Sequence, residues 1–282
     1  METQGTATLI FFSDLPTTLT LDCHYIDKGM TPGLTMIQKF LTDTDIVVPA
    51  ITTAQMVEVD RVAIEETGPN LFQMMENAGL HLACQAIDLL GDTWQQVPIV
   101  VLAGTGGIGG GGMCAARHLA NRGAQVKLCL TSPERLREVP KWQFYIFQST
   151  PGQTVSMDDL STLDQPLGLI IDALIGYSLQ AAPRGAARDL IQWANAEPAP
   201  ILSLDVPSGV DSTTGETPGV HMRPRQTLTL ALPKTGLLPT KTGDLWLADL
   251  GIPAGTYRWE TLKIEYQSPF EMCDRIHLNP SF

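Results

Sequence analysis

The feature that most constrains this chain is an apolar segment that runs directly into a cluster of glycines. Residues 98–103 read Pro-Ile-Val-Val-Leu-Ala, and seven of the nine residues at 104–112 are glycine. A short, continuous apolar run is typical of a strand buried on both faces of a parallel sheet. A helix predicted over 113–122 would then present backbone N–H groups and its positive dipole end to an anionic ligand. The segment therefore predicts a phosphate or nucleotide site, and the alternative is a tight turn that binds nothing.

Strand and helix patterns alternate along the rest of the chain. Further strands are predicted at 125–130, 167–174, 200–205, 226–232 and 244–249. Helices are predicted at 52–66, 70–90, 133–148, 157–163 and 186–196. This alternation predicts an α/β fold, a three-layer α/β/α sandwich with a mostly parallel central sheet. We assign residues 51–256 to this domain, 1–50 to an N-terminal extension that either packs on it or forms a partly ordered arm, and 257–282 to a C-terminal tail.

Composition narrows the possible partners. The net charge is −12 and the basic residues are not clustered, which argues against binding to duplex nucleic acid or to an anionic membrane. The apolar runs are too short for a transmembrane helix. Five cysteines at wide spacings favour buried thiols over disulfides or a metal site. Residues 1–50 lack the basic region and cleavage pattern of a secretory signal and contain no arginine, so we expect a cytoplasmic protein.

Four polar residues occupy positions where ligands bind in parallel sheets, at the carboxyl ends of strands. Asp172 and Asp205 each end a predicted strand, Ser208 follows Asp205 in a proline turn, and Lys234 follows the predicted strand at 226–232. The carboxylates could carry protons or bind a cation, and the lysine could supply the opposite charge. Alternatively, the aspartates and the serine form caps and turns and the lysine is a solvated charge.

The chain from about residue 51 to residue 253 resembles the YjeF N-terminal domain family, the NAD(P)H-hydrate epimerases. The resemblance rests on the helical opening at 52–79, the glycine cluster followed by Ala-Ala-Arg-His-Leu, and the motifs at 172–176, 203–211, 232–236 and 248–253. It implies a Rossmann-like sandwich, usually a homodimer, that interconverts the R and S hydrates of NADH or NADPH. Such an isomerase serves metabolite repair, with the dinucleotide hydrate NAD(P)HX as its substrate.

The resemblance also implies roles for particular residues. Asp205, together with Lys234, would carry catalysis. Potassium would be bound by Asp172 and Ser208, and Ile108 occupies the third ligand position of the family. Hard cations take oxygen ligands, and the Ile108 side chain has no oxygen. The implied substrate-binding residues are Asp205 and the residues of two loops. The first loop consists of Gly107, Ile108, Gly109, Gly110 and Gly111. The second loop consists of Gly176, Tyr177, Ser178, Leu179, Gln180, Ala181 and Ala182.

Both loops depart from the family pattern. The first has glycine and isoleucine where the family has asparagine and aspartate, and the second has Tyr177 and Ser178 in place of a Gly-Thr-Gly-Leu-like run. Three functions therefore stay open. The chain is a hydrate epimerase, an isomerase or lyase that acts on another small molecule, or an inactive module that binds a protein partner.

Overall fold

The computed structural model describes residues 38–163 and 165–281, which contain one ten-stranded mixed sheet. The strand order across the sheet is β2-β1-β10-β9-β8-β7-β6-β3-β4-β5. The strands are β1 (Lys39–Thr42), β2 (Val47–Pro49), β3 (Pro98–Ala103), β4 (Gln125–Leu130), β5 (Gln153–Val155), β6 (Leu169–Ala173), β7 (Ile201–Leu204), β8 (Gln226–Leu230), β9 (Asp244–Ala248) and β10 (Arg275–Ser281). The helices are α1 (Thr53–Val62), α2 (Leu71–Leu90), α3 (Gly107–Asn121), α4 (Glu138–Phe147), α5 (Met157–Leu160), α6 (Gly185–Ala196), α7 (Pro239–Thr242) and α8 (Ala254–Tyr257).

The sheet is parallel from β5 to β9, so the carboxyl ends of seven strands lie along one edge. Helices cover both faces, as the two sides of β3 show. Ile99 and Val101 pack into the cluster that contains residues of α1, α2 and α3, whereas Val100 and Leu102 pack into the cluster that contains residues of α6. The predicted three-layer α/β/α sandwich with a mostly parallel sheet is confirmed.

The other edge of the sheet is antiparallel and comes from the two ends of the chain. Strand β10 pairs with β9 and with β1, and β1 pairs with β2. The sequence analysis missed these three strands and β5. Strands β2 and β5 have only three residues, and so short a run carries no readable alternation. The described part of the N-terminal extension and the end of the C-terminal tail therefore extend the same sheet.

The glycine cluster forms a helix, so the prediction of a helix beginning at Met113 is wrong. Helix α3 begins at Gly107, and the four consecutive glycines at 109–112 are buried in its first turns. A Cβ on Gly112 would lie 2.5 Å from Ala173 Cβ, and one on Gly111 would lie 2.9 Å from Leu204 Cδ2. Glycine costs about 1 kcal/mol per residue in a helix interior. Close packing of α3 on β6 and β7 outweighs that cost.

The remaining boundaries differ by small amounts. The helix predicted at 133–148 is divided into a 3₁₀ turn, Pro133–Arg135, and α4. The helix predicted at 157–163 is the single turn α5, and α1 continues as a π-helical turn, Ala63–Thr67. Among the described residues, no helix is long and apolar enough to cross a membrane.

Candidate active site

The two predicted substrate loops lie side by side at the carboxyl edge of the sheet. Gly104 N donates a hydrogen bond to Ala173 O at 2.9 Å, which joins the segment after β3 to the end of β6. At the next turn the Ile108 side chain contacts the α-carbon region of Gly176 and leaves no room for a side chain there. The first N–H groups of α3 also lie at this edge. They have no intrahelical acceptors, and they favour an anionic ligand.

Asp205 and Lys234 form a buried ion pair at the same edge. Lys234 is fully buried and Asp205 is 1% exposed. Lys234 Nζ donates to Asp205 Oδ1, to Leu230 O at 2.9 Å and to Thr229 Oγ1 at 3.4 Å. The three ammonium hydrogens are therefore directed at protein acceptors. Lys234 neutralises and orients Asp205, and the alternative of a solvated lysine is wrong.

The second carboxylate oxygen of Asp205 is buried and has no hydrogen-bond donor beside it among the described residues. Asp205 Oδ2 accepts no hydrogen bond from any residue that the structure describes; we call it the open oxygen. A Cβ on Gly176 would lie 3.4 Å from it, so it faces the place where the two predicted substrate loops meet. Leaving a buried acceptor without a donor costs about 1–3 kcal/mol. An atom in this state is suited to bind a substrate hydroxyl.

Asp172 and Ser208 also come together at the carboxyl edge of the sheet. Ser208 Oγ lies 2.6 Å from Asp172 Oδ1 and 3.2 Å from Ile175 O. Ser203 Oγ and Ser208 N donate to Asp172 Oδ2 at 2.8 and 2.9 Å. Burial raises the pKa of Asp172, and the hydrogen bonds from Ser208 and Ser203 oppose that shift. Within the described ranges no lysine or arginine forms an ion pair with Asp172.

Asp60 is a site residue that sequence reasoning missed. It lies on α1, and Tyr177 OH donates to Asp60 Oδ2 at 2.5 Å. Burial raises the pKa of Asp60 from its ordinary 3.8 to about 6, and the hydrogen bond from Tyr177 and the charge of Lys234 oppose the increase. The only sequence signal is an aspartate beside apolar residues of α1, which is also the pattern of an ordinary amphipathic helix.

The rest of the second predicted loop lies farther into solvent. Ser178, Gln180, Ala181 and Ala182 are exposed and Leu179 is partly buried. The first loop divides as well: Gly107 and Ile108 are partly exposed, whereas Gly109, Gly110 and Gly111 are buried inside α3. Within this segment only Gly107 and Ile108, in the first turn of the helix, are therefore exposed enough to contact a ligand.

A second polar cluster joins α2 and α3. Glu76, Cys114 and His118 offer ligand atoms within 4.8 Å of one another. Arg117 Nη2 lies 2.6 Å from both carboxylate oxygens of Glu76 and 3.2 Å from Cys114 Sγ. Burial raises the pKa of the Cys114 thiol to about 12. The guanidinium already supplies the positive charge that a metal ion would bring, so this cluster is an interhelical contact.

Fold and site together define an α/β protein with buried carboxylates at the carboxyl edge of a parallel sheet, the edge at which folds of this class bind ligands. The sequence pattern of the family described as YjeF-related protein N-terminus matches residues 71–236. The chain belongs to this family.

Relatives with assigned names agree with this membership. The chain is 50% identical over 235 residues to the NAD(P)H-hydrate epimerase of Dehalogenimonas lykanthroporepellens, an alignment that covers 83% of this chain and 95% of that protein. It is 34% identical to the NAD(P)H-hydrate epimerase of Truepera radiovictrix, over 73% of this chain and 92% of that one. It is 35% identical to the bifunctional NAD(P)H-hydrate repair enzyme Nnr of Salinibacter ruber, over 73% of this chain but only 41% of that protein.

A solved structure supports the fold. The crystal structure of yeast ynu0, YNL200c, superimposes with a TM-score of 0.68, at 22% identity, over 83% of this chain and 100% of the yeast chain. At this level of identity the likeness concerns the arrangement of helices and strands.

Proposed function

We propose that this protein is an NAD(P)H-hydrate epimerase, an isomerase that interconverts the R and S forms of NAD(P)HX. The observation that carries the proposal is the open oxygen of Asp205, which is buried, held in place through Lys234 and close to Gly176, the residue that the Ile108 side chain contacts. The names of the relatives that align over nearly their full length support the same activity.

The chemistry requires one group that exchanges a proton with a hydroxyl. Epimerisation moves a hydroxyl from one face of a carbon to the other, so a C–O bond breaks and re-forms with no net change of atoms. A carbon-bound hydroxyl leaves only as water, so the protonated open oxygen would give its proton to the hydroxyl, and the electron pair of the ring nitrogen would stabilise the cation left on the carbon. Addition of that water to the other face would re-form the C–O bond and return the proton to the open oxygen. Lys234 keeps Oδ1 occupied, so the proton exchange is assigned to Oδ2.

The dinucleotide part of the substrate has a suitable site close by. The first turn of α3, at Gly107 and Ile108, lies next to Gly176 and therefore next to Asp205. Its N–H groups would hold the pyrophosphate, because a helix N-terminus favours negative charge. The loop at 176–182 would cover the ring that carries the hydroxyl.

A potassium ion fits the oxygens at the neighbouring position. Asp172 Oδ1 and Ile175 O both lie within hydrogen-bond distance of Ser208 Oγ. The Asp172 carboxyl is buried, and no lysine or arginine among the described residues forms an ion pair with it. We propose Asp172, Ser208 and the Ile175 carbonyl as ligands, with no side-chain contribution from Ile108. When bound, the ion would supply the positive charge that offsets the buried carboxylate.

The test is an epimerisation assay on purified S- and R-NADPHX, in which chromatography measures the rate at which one form converts into the other. Wild-type protein should accelerate interconversion, and Asp205→Asn should reduce the rate at least 100-fold, the order expected for loss of a general acid–base group (roughly 10² to 10⁴). Asp92→Asn, at an exposed aspartate far from the sheet edge, is the matched control and should keep full activity. Wild-type protein that does not exceed the spontaneous rate would overturn the proposal.

We also propose that the protein acts as a homodimer in the cytoplasm, as the family resemblance implies. Light scattering on the purified protein at micromolar concentration measures the mass directly. A monomer at that concentration would contradict the dimer and leave the epimerase assay unaffected.

A further inference from the structure

Helix α1 holds Tyr177 at two points. The phenol hydroxyl donates to Asp60 Oδ2 at 2.5 Å. The backbone carbonyl of Tyr177 accepts from Ser212 Oγ at 2.9 Å, and Ser212 Oγ lies 2.5 Å from Thr53 Oγ1. Asp60 and Thr53 are both residues of α1. The tyrosine is therefore fixed at its ring and at its backbone to one rigid element.

This attachment lies directly beside the open oxygen. Tyr177 follows Gly176, the residue whose α-carbon region contacts Ile108 and faces Asp205 Oδ2. The Tyr177 and Ile108 side chains are partly buried and pack against the same hydrophobic cluster. A shift of the tyrosine would therefore move Gly176 relative to the carboxylate.

We propose that Asp60 and Tyr177 are positioning residues of the epimerase site, and that their hydrogen bond fixes the loop at 176–182 against the open oxygen of Asp205. This inference rests on the proposed function. In the described part of the chain no hydrogen bond joins either residue to Asp205. Their role is to hold the substrate-binding loop, and the proton exchange stays with Asp205.

The charges around Asp60 make this contact sensitive to pH. The ionisable groups that face Asp60 are Tyr177, Lys234, Asp205 and, from α8, Tyr257. Burial raises the pKa of Asp60 to about 6. Above that pH the carboxylate accepts a charge-assisted hydrogen bond, which is roughly twice as strong as one to a neutral acceptor. Below it the bond weakens and the loop is held less firmly.

Two variants separate the parts of the contact. Tyr177→Phe removes one hydroxyl and keeps the ring. We expect KM for NADPHX to rise about tenfold, because the lost hydrogen bond is to a charged acceptor. We expect kcat to change less than about threefold, because the bond positions the loop and takes no part in the proton exchange. Asp60→Asn keeps an acceptor and removes the charge. Wild-type KM should rise as pH falls below about 6, and this rise should be absent in Asp60→Asn.

The double variant tests whether the two residues act together. If the bond is the common element, Tyr177→Phe combined with Asp60→Asn should be no worse than the more impaired single variant. Tyr145→Phe and Asp92→Asn, both at exposed positions, are the matched controls and should keep the wild-type KM and pH profile. A purely structural role would lower the melting temperature and leave the pH dependence of KM unchanged.

Three results overturn the inference: a KM for Tyr177→Phe within about twofold of wild type, fully additive effects in the double variant, or a pH dependence of KM that is the same in Asp60→Asn as in wild type. Absence of epimerisation by wild-type protein would instead contradict the proposed function. The loop contact is then measured by calorimetry with NADP⁺ as the probe. About tenfold weaker binding to Tyr177→Phe supports the positioning role, and equal binding, or no binding to wild type, rejects it.

Discussion

Asp205 and Lys234 form a buried ion pair in which the lysine engages one carboxylate oxygen and leaves the other facing Gly176. Asp205 comes immediately after β7 and has a φ of +67°, a left-handed conformation that is uncommon for a residue other than glycine. Such strain costs about 1–3 kcal/mol and is retained mostly at functional sites. Here it directs the carboxylate away from the strand and towards Lys234 and Gly176.

Lys234→Met should destabilise the protein by about 3–5 kcal/mol, because it leaves the buried Asp205 charge without its partner. The free energy of unfolding, measured in urea at pH 7, tests this. Adding Asp205→Asn to the variant should recover at least half of the loss. A cost below about 1 kcal/mol for Lys234→Met would contradict the ion pair as a stabilising contact of the fold.

Asp60→Asn should make the protein more stable at pH 8 but not below about pH 4. The pKa of Asp60 is higher in the folded state, about 6 against 3.8. The folded state therefore binds the proton more tightly, and the wild-type protein loses stability as pH rises from 4 through 6. The gain at pH 8 is on the order of 3 kcal/mol. Denaturant unfolding at both pH values measures it, and a gain of equal size at pH 4 would rule out this origin.

Potassium should raise the melting temperature at constant ionic strength. An ion that binds only the folded state stabilises it by about 1.4 kcal/mol at ten times its Kd, or a few degrees in Tm for a domain of this size. Thermal unfolding in potassium chloride against tetramethylammonium chloride gives the shift. It should vanish in Asp172→Asn. An equal shift in that variant would place the ion elsewhere.

Gly112→Ala should destabilise the protein, although alanine favours helices over glycine by about 1 kcal/mol. The new Cβ would lie 2.5 Å from Ala173 Cβ, so α3 or β6 must move, and overpacking of this kind typically costs about 1–3 kcal/mol. Gly106→Ala is the matched control, because no atom lies within 4 Å of its Cβ position. Its melting temperature should be close to that of wild type. Unchanged stability of Gly112→Ala would show that the helix can shift without loss.

Sequence reasoning succeeded where local pattern determines structure. The apolar run at 98–103 is β3 with the predicted bounds, because a strand buried on both faces of a parallel sheet reads as a nearly continuous apolar run. Asp172 and Asp205 lie at the ends of β6 and β7 as predicted, since a parallel sheet places consecutive strand ends on one edge. Their roles in catalysis and ion binding stay predictions.

The reasoning failed where a residue's meaning depends on a distant neighbour. Seven glycines predict a loop, yet most of them form a helix, because Ala173 and Leu204 approach too closely for side chains. Asp60 carries no local signal, and only the fold brings it to Tyr177, 117 residues away. Strands β1 and β2 have only four and three residues, and β1 pairs with β10 from the other end of the described chain.

By itself the sequence determined the parallel α/β core, the family and the strand-end carboxylates, since these depend on hydrophobic periodicity and on residue order along the chain. The tertiary structure alone decided that Lys234 occupies one oxygen of Asp205 and leaves the other open, and that Asp60 holds Tyr177 beside it. Those relations depend on distances of a few ångströms between residues far apart in sequence, and on burial, which changes the pKa of Asp60. No local pattern encodes either quantity.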